Sequence, residues 1–157
     1  MHNEVLPDNC SAFEHMIRVR YAETDAMGIA YNGQYFTWFE VGRTELLRAY
    51  GLTYCDMEKI GLRLPVIEAQ VKYVKPVHYD DVLTIRSYLG AKPGVRVRIH
   101  YEILKDGYLA ASGFTEHAFT DKNLQPVRPA RHIREMLTKI WDQSRQDNDE
   151  GKDYAEQ

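Results

Sequence analysis

The sequence predicts an α+β domain in which a curved antiparallel sheet packs against one long helix. Three observations support this prediction: an alternating strand pattern near the N-terminus, a helical apolar stripe directly after it, and a series of hairpin-linked strand patterns in the second half. A strongly twisted sheet buries its apolar face by curling around such a helix. At 157 residues, the chain is long enough for one domain with one hydrophobic core.

The first strand and the long helix are predicted from a change of apolar period. Apolar and aromatic side chains occupy alternate positions over residues 13–21, as in a half-buried strand. Over residues 33–50 they recur at spacings of three and four, which is typical of an amphipathic helix. Asn32 is the predicted N-cap, and Gly51 stands where the end of a helix favours a left-handed residue.

The rest of the chain is predicted to form mainly strands that are joined as hairpins. Asp106-Gly107 is a strong signal for a two-residue hairpin turn. Residues 1–12 and 144–157 lack an apolar period, so we expect a flexible N-terminal segment, a domain over residues 13–143 and a disordered tail. The remaining predicted elements are strands at 64–74, 82–89, 95–104 and 108–120, a sheet extension at 124–127, and helical segments at 54–60 and 130–141.

Composition excludes several classes of protein. The formal net charge of -3 is not the basic charge typical of a nucleic-acid-binding protein. Cys10 and Cys55 form no metal or redox spacing, so we expect two reduced thiols. The chain shows no signal-peptide pattern and no apolar run near the ~20 residues that a membrane-spanning helix needs. We therefore expect a cytoplasmic protein without a membrane span.

The loop between the first strand and the long helix contains the residues best suited to chemistry. It holds one carboxylate, Asp25, and one glycine, Gly28. A carboxylate can activate water or attack a carbonyl, and a helix N-terminus offers free N–H groups with a partial positive charge. Acyl transfer uses both, because negative charge builds on the carbonyl oxygen in the transition state. From its position alone, Asp25 is better explained as a turn former than as a catalytic residue.

These residues also carry a family resemblance. The run Tyr-x-x-x-Asp-x-x-Gly-x-x-Tyr-Asn-x-x-Tyr at residues 21–35, followed by Phe-Glu-Val-Gly-Arg-Thr-Glu at 39–45, resembles the 4-hydroxybenzoyl-CoA thioesterase family. Within it, the chain is most similar to the small acyl-CoA thioesterases of the Tol-Pal-associated type, over roughly residues 16–134. The resemblance implies the hotdog fold, an antiparallel sheet wrapped around one central helix. It also implies hydrolysis of acyl-CoA to a carboxylic acid and free CoA.

The resemblance assigns catalytic roles to three residues. It makes Asp25 the general base or the nucleophile, and the backbone N–H of Asn32 the oxyanion donor. The nearest branch often has His at the position of Asn32, and Asn cannot act as a base at neutral pH. Tyr21 would bind the substrate, with packing in the core as the alternative. The side chain of Asn32 is equally explained as a plain helix cap.

Further residues are predicted to bind the substrate. Gly28 would give the loop a positive φ, and Tyr31 and Tyr35 would stand where the acyl group enters. Cationic side chains would bind the CoA phosphates, although such residues more often form a solvated face. The principal candidates are Arg96, Arg98 and Arg128, and the wider set adds Lys72, Lys75, Arg86, Lys92 and Arg131.

The resemblance also implies an assembly and a substrate. It implies a homodimer or homotetramer with sites between subunits, and it implies no metal or redox cofactor, since CoA is part of the substrate.

On the helix, Glu40 and Arg43 are three residues apart and are predicted to form an ion pair. The alternative function is a non-catalytic module of the same fold that binds acyl-CoA or an acyl-carrier protein.

Overall fold

A computed structural model describes residues 12–150, with side chains to residue 145. Five strands and three helices alternate with short loops, and a single 3₁₀ turn at Tyr21–Glu23 precedes the first helix. The elements are β1 (Phe13–Arg18), α1 (Gln34–Ala49), α2 (Tyr54–Lys59), β2 (Val66–Tyr73), β3 (Val82–Leu89), β4 (Arg96–Lys105), β5 (Tyr108–Ala118) and α3 (Arg131–Glu150).

The five strands form one antiparallel sheet in the order β1-β3-β4-β5-β2. The central strands β3, β4 and β5 follow each other as hairpins, and β1 and β2 form the two edges. The turn between β4 and β5 has positive φ at Asp106 and Gly107, 48° and 79°, as the Asp-Gly signal predicted. The predicted α+β fold, with one antiparallel sheet against a long helix, is confirmed.

Helix α1 packs against one face of this sheet. Tyr35, Trp38, Phe39 and Leu46 are buried, at the spacings that place them on one side of a helix. Gly42 allows the close approach, because a Cβ there would lie 2.6 Å from the Ser87 hydroxyl oxygen on β3. The apolar stripe seen in the sequence therefore forms the contact between helix and sheet.

The end of α1 agrees with the prediction, whereas its start does not. Gly51 has a φ of 86°, and its N–H donates to the Arg48 carbonyl at 2.9 Å. At the start, the N-cap position is Gly33, and no side chain caps the helix. Asn32 lies one residue earlier with an exposed side chain, so its prediction as the N-cap is wrong. The helix begins at Gln34, so its N-cap position is the residue after Asn32.

Other boundaries also differ from the sequence prediction. Strand β1 ends at Arg18, and Tyr21 lies in the 3₁₀ turn with 76% of its surface exposed, so it is not a core residue. Helix α3 continues to Glu150, beyond the predicted end at residue 141 and into the predicted tail. Residues 124–127 contribute one isolated bridge, Thr120 to Pro126, and no strand. Residues 1–11 and 151–157 lie outside the described residues.

The edge strand β2 differs from the central strands in its exposure. Its residues are exposed at nearly every position, and Val66, Ile67 and Tyr73 each expose close to half of their surface. The central strands β3 and β4 instead alternate between buried and half-buried positions. Within residues 12–150, no helix has the length and apolar character needed to cross a bilayer.

Candidate active site

The loop after β1 is held against α1 by Glu23. This side chain is 6% exposed, and one of its oxygens accepts the Arg20 N–H at 2.8 Å. The other accepts the indole N–H of Trp38 on α1 at 3.0 Å. Burial opposes ionisation, but these hydrogen bonds outweigh it and lower the pKa of Glu23. A charged, fully bonded carboxylate thus anchors the loop.

Asp25 lies two residues further along in a tight turn. Its backbone N–H donates to the Ile29 carbonyl at 2.9 Å, and its Oδ1 accepts the Met27 N–H at 2.8 Å. Gly28 closes the turn with a φ of 79°, the positive value that was predicted for this glycine. No donor among the described residues bonds to Oδ2 of Asp25. One carboxylate oxygen is therefore fixed by the backbone while the other is available.

The N-terminus of α1 comes next to this turn. The Tyr31 N–H donates to the Glu23 carbonyl at 2.8 Å, which ties the helix entry to the anchored loop. The Tyr31 carbonyl accepts the Gln34 N–H at 2.9 Å. In the described part of the chain, the N–H groups of Asn32 and Gly33 have no hydrogen-bond acceptor. Free donors of this kind at a helix start attract negative charge.

A cavity of about 500 Å³ lies between this helix start and the end of β2. Asp25, Tyr31, Asn32 and Tyr35 line it, together with Lys75 from the wider set of predicted cations, so the structure brings together five of the residues predicted from the sequence. Tyr73 lines the opposite side and was not predicted. The remaining lining residues are apolar: Met27, Ile29, Ala30, Val74 and Pro76.

Tyrosine side chains dominate one wall of this cavity. The rings of Tyr35 and Tyr73 meet edge to face with centroids 5.0 Å apart. Burial, with Tyr73 as a weaker contribution, raises the pKa of Tyr35 to about 12, so its hydroxyl is neutral at physiological pH. The cavity therefore combines uncharged tyrosine side chains with the carboxylate of Asp25.

The other predicted site residues do not line this cavity. Tyr21 packs its ring edge-on against Tyr79 at 5.6 Å and is exposed. On β4, Arg96 and Arg98 both form ion pairs with Glu116, at 3.7 and 3.5 Å. Arg128 is exposed after the last strand. Lys75 is the one cation among the cavity-lining residues, and its ammonium lies 4.6 Å from the centre of the Tyr108 ring.

A second polar group lies beneath the middle of α1 and is closed to solvent. Arg43 donates from Nε to the Tyr54 hydroxyl at 3.0 Å and also interacts electrostatically with the Tyr101 hydroxyl. Its predicted partner Glu40 points away from the sheet and is exposed, so the predicted ion pair is wrong. The hydroxyls of Tyr101 and Thr115 lie 2.7 Å apart, and the Thr115 hydroxyl lies 2.8 Å from Nε2 of His117.

The direction of these hydrogen bonds follows from the last acceptor. His117 Nδ1 lies 3.1 Å from the Leu64 carbonyl, which can only accept, so Nδ1 carries the proton. Burial lowers the pKa of His117 to about 4, so the ring is neutral and Nε2 accepts from Thr115. Thr115 then accepts from Tyr101. This buried polar chain, Arg43-Tyr101-Thr115-His117, is satisfied internally.

Comparison with known proteins gives the site a family context. The chain is 38% identical to the Bacillus subtilis protein YneP, by name a candidate acyl-CoA thioesterase, over 71% of this chain and 83% of that protein. It is 30% identical to the acyl-CoA thioester hydrolase YbgC of Escherichia coli O6:H1, over 55% of this chain and 64% of that protein. The structure of the DHNA-CoA thioesterase from Staphylococcus aureus matches with a TM-score of 0.79 and 35% identity, over 88% of this chain and 94% of that one.

The family model described as the thioesterase-like superfamily matches residues 19–138, which include the Asp25 loop, α1 and the whole cavity. These matches confirm the predicted hotdog fold and the predicted enzyme class, a thioester hydrolase. The narrower assignment to the Tol-Pal-associated branch stays a prediction. The chain belongs to the thioesterase-like superfamily.

Proposed function

We propose that the protein hydrolyses acyl-CoA thioesters at the cavity between Asp25 and the N-terminus of α1. The observation that carries this proposal is that one cavity is lined both by Asp25, a carboxylate with an available oxygen, and by Asn32, whose N–H has no acceptor among the described residues. The names of YneP and YbgC, and that of the Staphylococcus aureus enzyme, support an acyl-CoA substrate.

The chemistry follows from these groups. In a general-base route, Asp25 removes a proton from water, and the water oxygen attacks the thioester carbon. The N–H of Asn32 stabilises the charge that develops on the carbonyl oxygen. The C–S bond then breaks, Asp25 returns the proton to the CoA sulfur, and the acid leaves.

A nucleophilic route uses the same residues. Asp25 Oδ2 attacks the thioester carbon and expels the CoA thiolate, which leaves a mixed anhydride that water hydrolyses. The backbone bond from Met27 to Oδ1 orients the carboxylate equally well for either route. Both routes therefore depend on Asp25, and neither requires a metal, a redox cofactor or an imidazole.

The substrate-binding surface is proposed to include Tyr31, Tyr35 and Lys75. The tyrosines and the apolar lining residues would surround the acyl group, and the Lys75 ammonium would attract the anionic CoA portion. Arg96, Arg98 and Arg128 remain proposed phosphate contacts. The first two keep their ion pairs to Glu116 within one chain, so phosphate would have to compete with that carboxylate.

We propose a homodimer, or a tetramer built from it, that pairs along β2. This strand is at an open sheet edge, and exposed apolar side chains flank it. The cavity is lined by residues at the end of β2, so a second copy at this edge would cover it. Sedimentation at micromolar concentration should show species of at least twice the chain mass of 18.3 kDa; only single chains would contradict the dimer.

Replacement of Asp25 by Asn tests the mechanism. Asp25→Asn keeps the Oδ1 acceptor for Met27 but removes the base and nucleophile, so thiol release from acyl-CoAs should fall about 100-fold or more. Asp121→Asn is the matched control. Its Oδ1 accepts the N–H groups of Asn123 and Gln125 in a similar turn that does not line the cavity.

The two variants should therefore differ in rate and agree in stability. Asp121→Asn should hydrolyse acyl-CoAs within twofold of the wild type, and both melting temperatures should stay close to the wild-type value. Wild-type hydrolysis by Asp25→Asn would overturn the mechanism and favour the non-catalytic acyl-CoA or acyl-carrier-protein binding module.

A further inference from the structure

We propose that Tyr73 is a positioning residue for thioester hydrolysis, because its hydroxyl holds the peptide unit that follows Asn32 at the start of α1. This inference rests on the proposed function and adds a residue from the far side of the cavity. Tyr73 is the last residue of β2, and its hydroxyl donates to the Asn32 carbonyl at 2.6 Å. The bond links residues 41 positions apart in the chain.

The orientation of two neighbouring peptide units explains why this bond matters. The N–H of Asn32 shares its peptide unit with the Tyr31 carbonyl, which accepts the Gln34 N–H at 2.9 Å. The N–H of Gly33 shares its unit with the Asn32 carbonyl, which accepts from Tyr73. The first unit is held by the helix itself, whereas the second is held by a side chain from the sheet edge.

A hydrogen bond at a carbonyl has two effects on the N–H of the same unit. It restrains rotation of the peptide plane, and it polarises the unit so that the N–H becomes a stronger donor. The N–H groups of Asn32 and Gly33 have no acceptor within the described part of the chain. Tyr73 therefore preorganises the N–H of Gly33, the residue after the cavity-lining Asn32, as a second donor for the oxyanion beside the Asn32 N–H, and such preorganised donors stabilise acyl-transfer transition states.

The ring of Tyr73 is held in place independently of its hydroxyl. It meets Tyr35 edge to face at 5.0 Å, so Tyr73→Phe removes the hydrogen bond and keeps the aromatic contact. In Tyr73→Phe, the peptide unit of the Asn32 carbonyl would lose its fixed orientation but keep its N–H group. We therefore expect kcat to fall about tenfold. Complete loss of an oxyanion donor costs more, ~100-fold or more. KM should stay within twofold, because a donor used only in the transition state does not strengthen substrate binding.

Tyr50→Phe is the matched control at the opposite end of α1. Tyr50 is half-buried, does not line the 500 Å³ cavity, and its hydroxyl has no hydrogen bond within the described residues. This variant should keep kcat and KM within twofold. NMR supplies a readout independent of turnover: the carbonyl ¹³C resonance of Asn32 and the amide ¹⁵N resonance of Gly33 should shift in Tyr73→Phe and stay unchanged in Tyr50→Phe.

The outcomes separate this inference from the proposed function. An inactive Asp25→Asn beside a Tyr73→Phe with wild-type kcat would overturn the role of Tyr73 alone. A raised KM with unchanged kcat would make Tyr73 a substrate contact and would also overturn it, as would unmoved Asn32 and Gly33 resonances. Full hydrolysis by Asp25→Asn would overturn the proposed function and the positioning role with it.

Discussion

Two polar regions contact α1, and they differ in whether their hydrogen bonds are satisfied. Beneath the middle of the helix lies the buried polar chain that runs from Arg43 to His117. Arg43 donates to the Tyr54 hydroxyl, and the links from Tyr101 through Thr115 and His117 to the Leu64 carbonyl are at hydrogen-bond distance. At the helix start, Asp25 and Asn32 line a cavity, and Asp25 Oδ2 and the Asn32 N–H have no partner among the described residues. Because buried polar groups are normally paired, the satisfied region serves the fold and the unsatisfied one is available to a ligand.

Glu23 and Asp25 repeat this contrast within three residues of one loop. Glu23 is buried, and both of its oxygens accept hydrogen bonds from Arg20 and Trp38. Asp25 is half-buried, and the backbone of its own turn bonds to only one of its oxygens among the described residues. The first carboxylate fixes the loop on α1, and the second is thereby held at the cavity.

The largest expected effect concerns the pH dependence of stability. His117 has a pKa of about 4 in the folded protein and, without its burial, one of about 6.5. As the pH falls, the unfolded state binds the proton first, so stability is complete above pH ~6.5 and is lost progressively towards pH ~4. The difference corresponds to about 3 kcal/mol of unfolding free energy.

Urea unfolding of the wild type and of His117→Gln between pH 7 and pH 4 measures this loss. Other carboxylates also titrate at the acid end, so the difference between the two profiles isolates His117. The wild type should lose about 3 kcal/mol more than the variant. Parallel profiles would show that His117 does not stay neutral in the fold.

A smaller effect is expected when the buried polar chain is cut in its middle. Thr115→Val keeps the shape of the side chain but leaves the Tyr101 hydroxyl without its acceptor and His117 Nε2 without its donor. The unfolding free energy should fall by about 2 kcal/mol, the cost of unsatisfied buried groups, while kcat stays within twofold.

Thr84→Val provides the control for this change. Thr84 is half-buried on β3, and its hydroxyl forms no hydrogen bond within the described residues, so its replacement should alter stability by less than ~0.5 kcal/mol. If Thr115→Val instead reduced hydrolysis tenfold at unchanged stability, the two polar regions would not be separate in function.

Local patterns predicted the elements of this fold well. The apolar strand-like run over residues 82–89 identified β3 to the residue, and the Asp-Gly pair predicted the turn after β4. Helix spacing also predicted a pair between Glu40 and Arg43, but Arg43 is buried, donates to the Tyr54 hydroxyl and interacts electrostatically with Tyr101, 58 positions later. A sequence pattern shows which face of an element is buried, and not which strand lies opposite it.

The same limit applies to the candidate site. Asp25 and Asn32 are close in the chain, so a strand-loop-helix pattern was enough to predict that they meet. Tyr73 reaches Asn32 only because β2 pairs with β5 at the far edge of the sheet, and that register cannot be read from one sequence. The only local signal for Tyr73 was its place as a tyrosine at the end of a strand ahead of Pro76. Many residues with a purely packing role occupy similar places.

The smallest expected effect compares two helix starts. Thr53 caps α2, since its hydroxyl accepts the Asp56 N–H at 3.1 Å. Asn32 lies before α1 with no such bond and an exposed side chain. Thr53→Ala should therefore lower the unfolding free energy by about 1 kcal/mol, whereas Asn32→Ala should change it by less than ~0.5 kcal/mol.

Hydrolysis by Asn32→Ala sharpens the distinction between its side chain and its backbone. The proposed oxyanion donor is the N–H, which alanine retains, so kcat should fall by less than tenfold and far less than in Asp25→Asn. Thermal unfolding and thiol release measured on the same samples check both statements. A loss near 100-fold in Asn32→Ala would mean that the Asn32 amide itself contacts the reacting thioester, and that the helix start contributes through this side chain rather than through its peptide units.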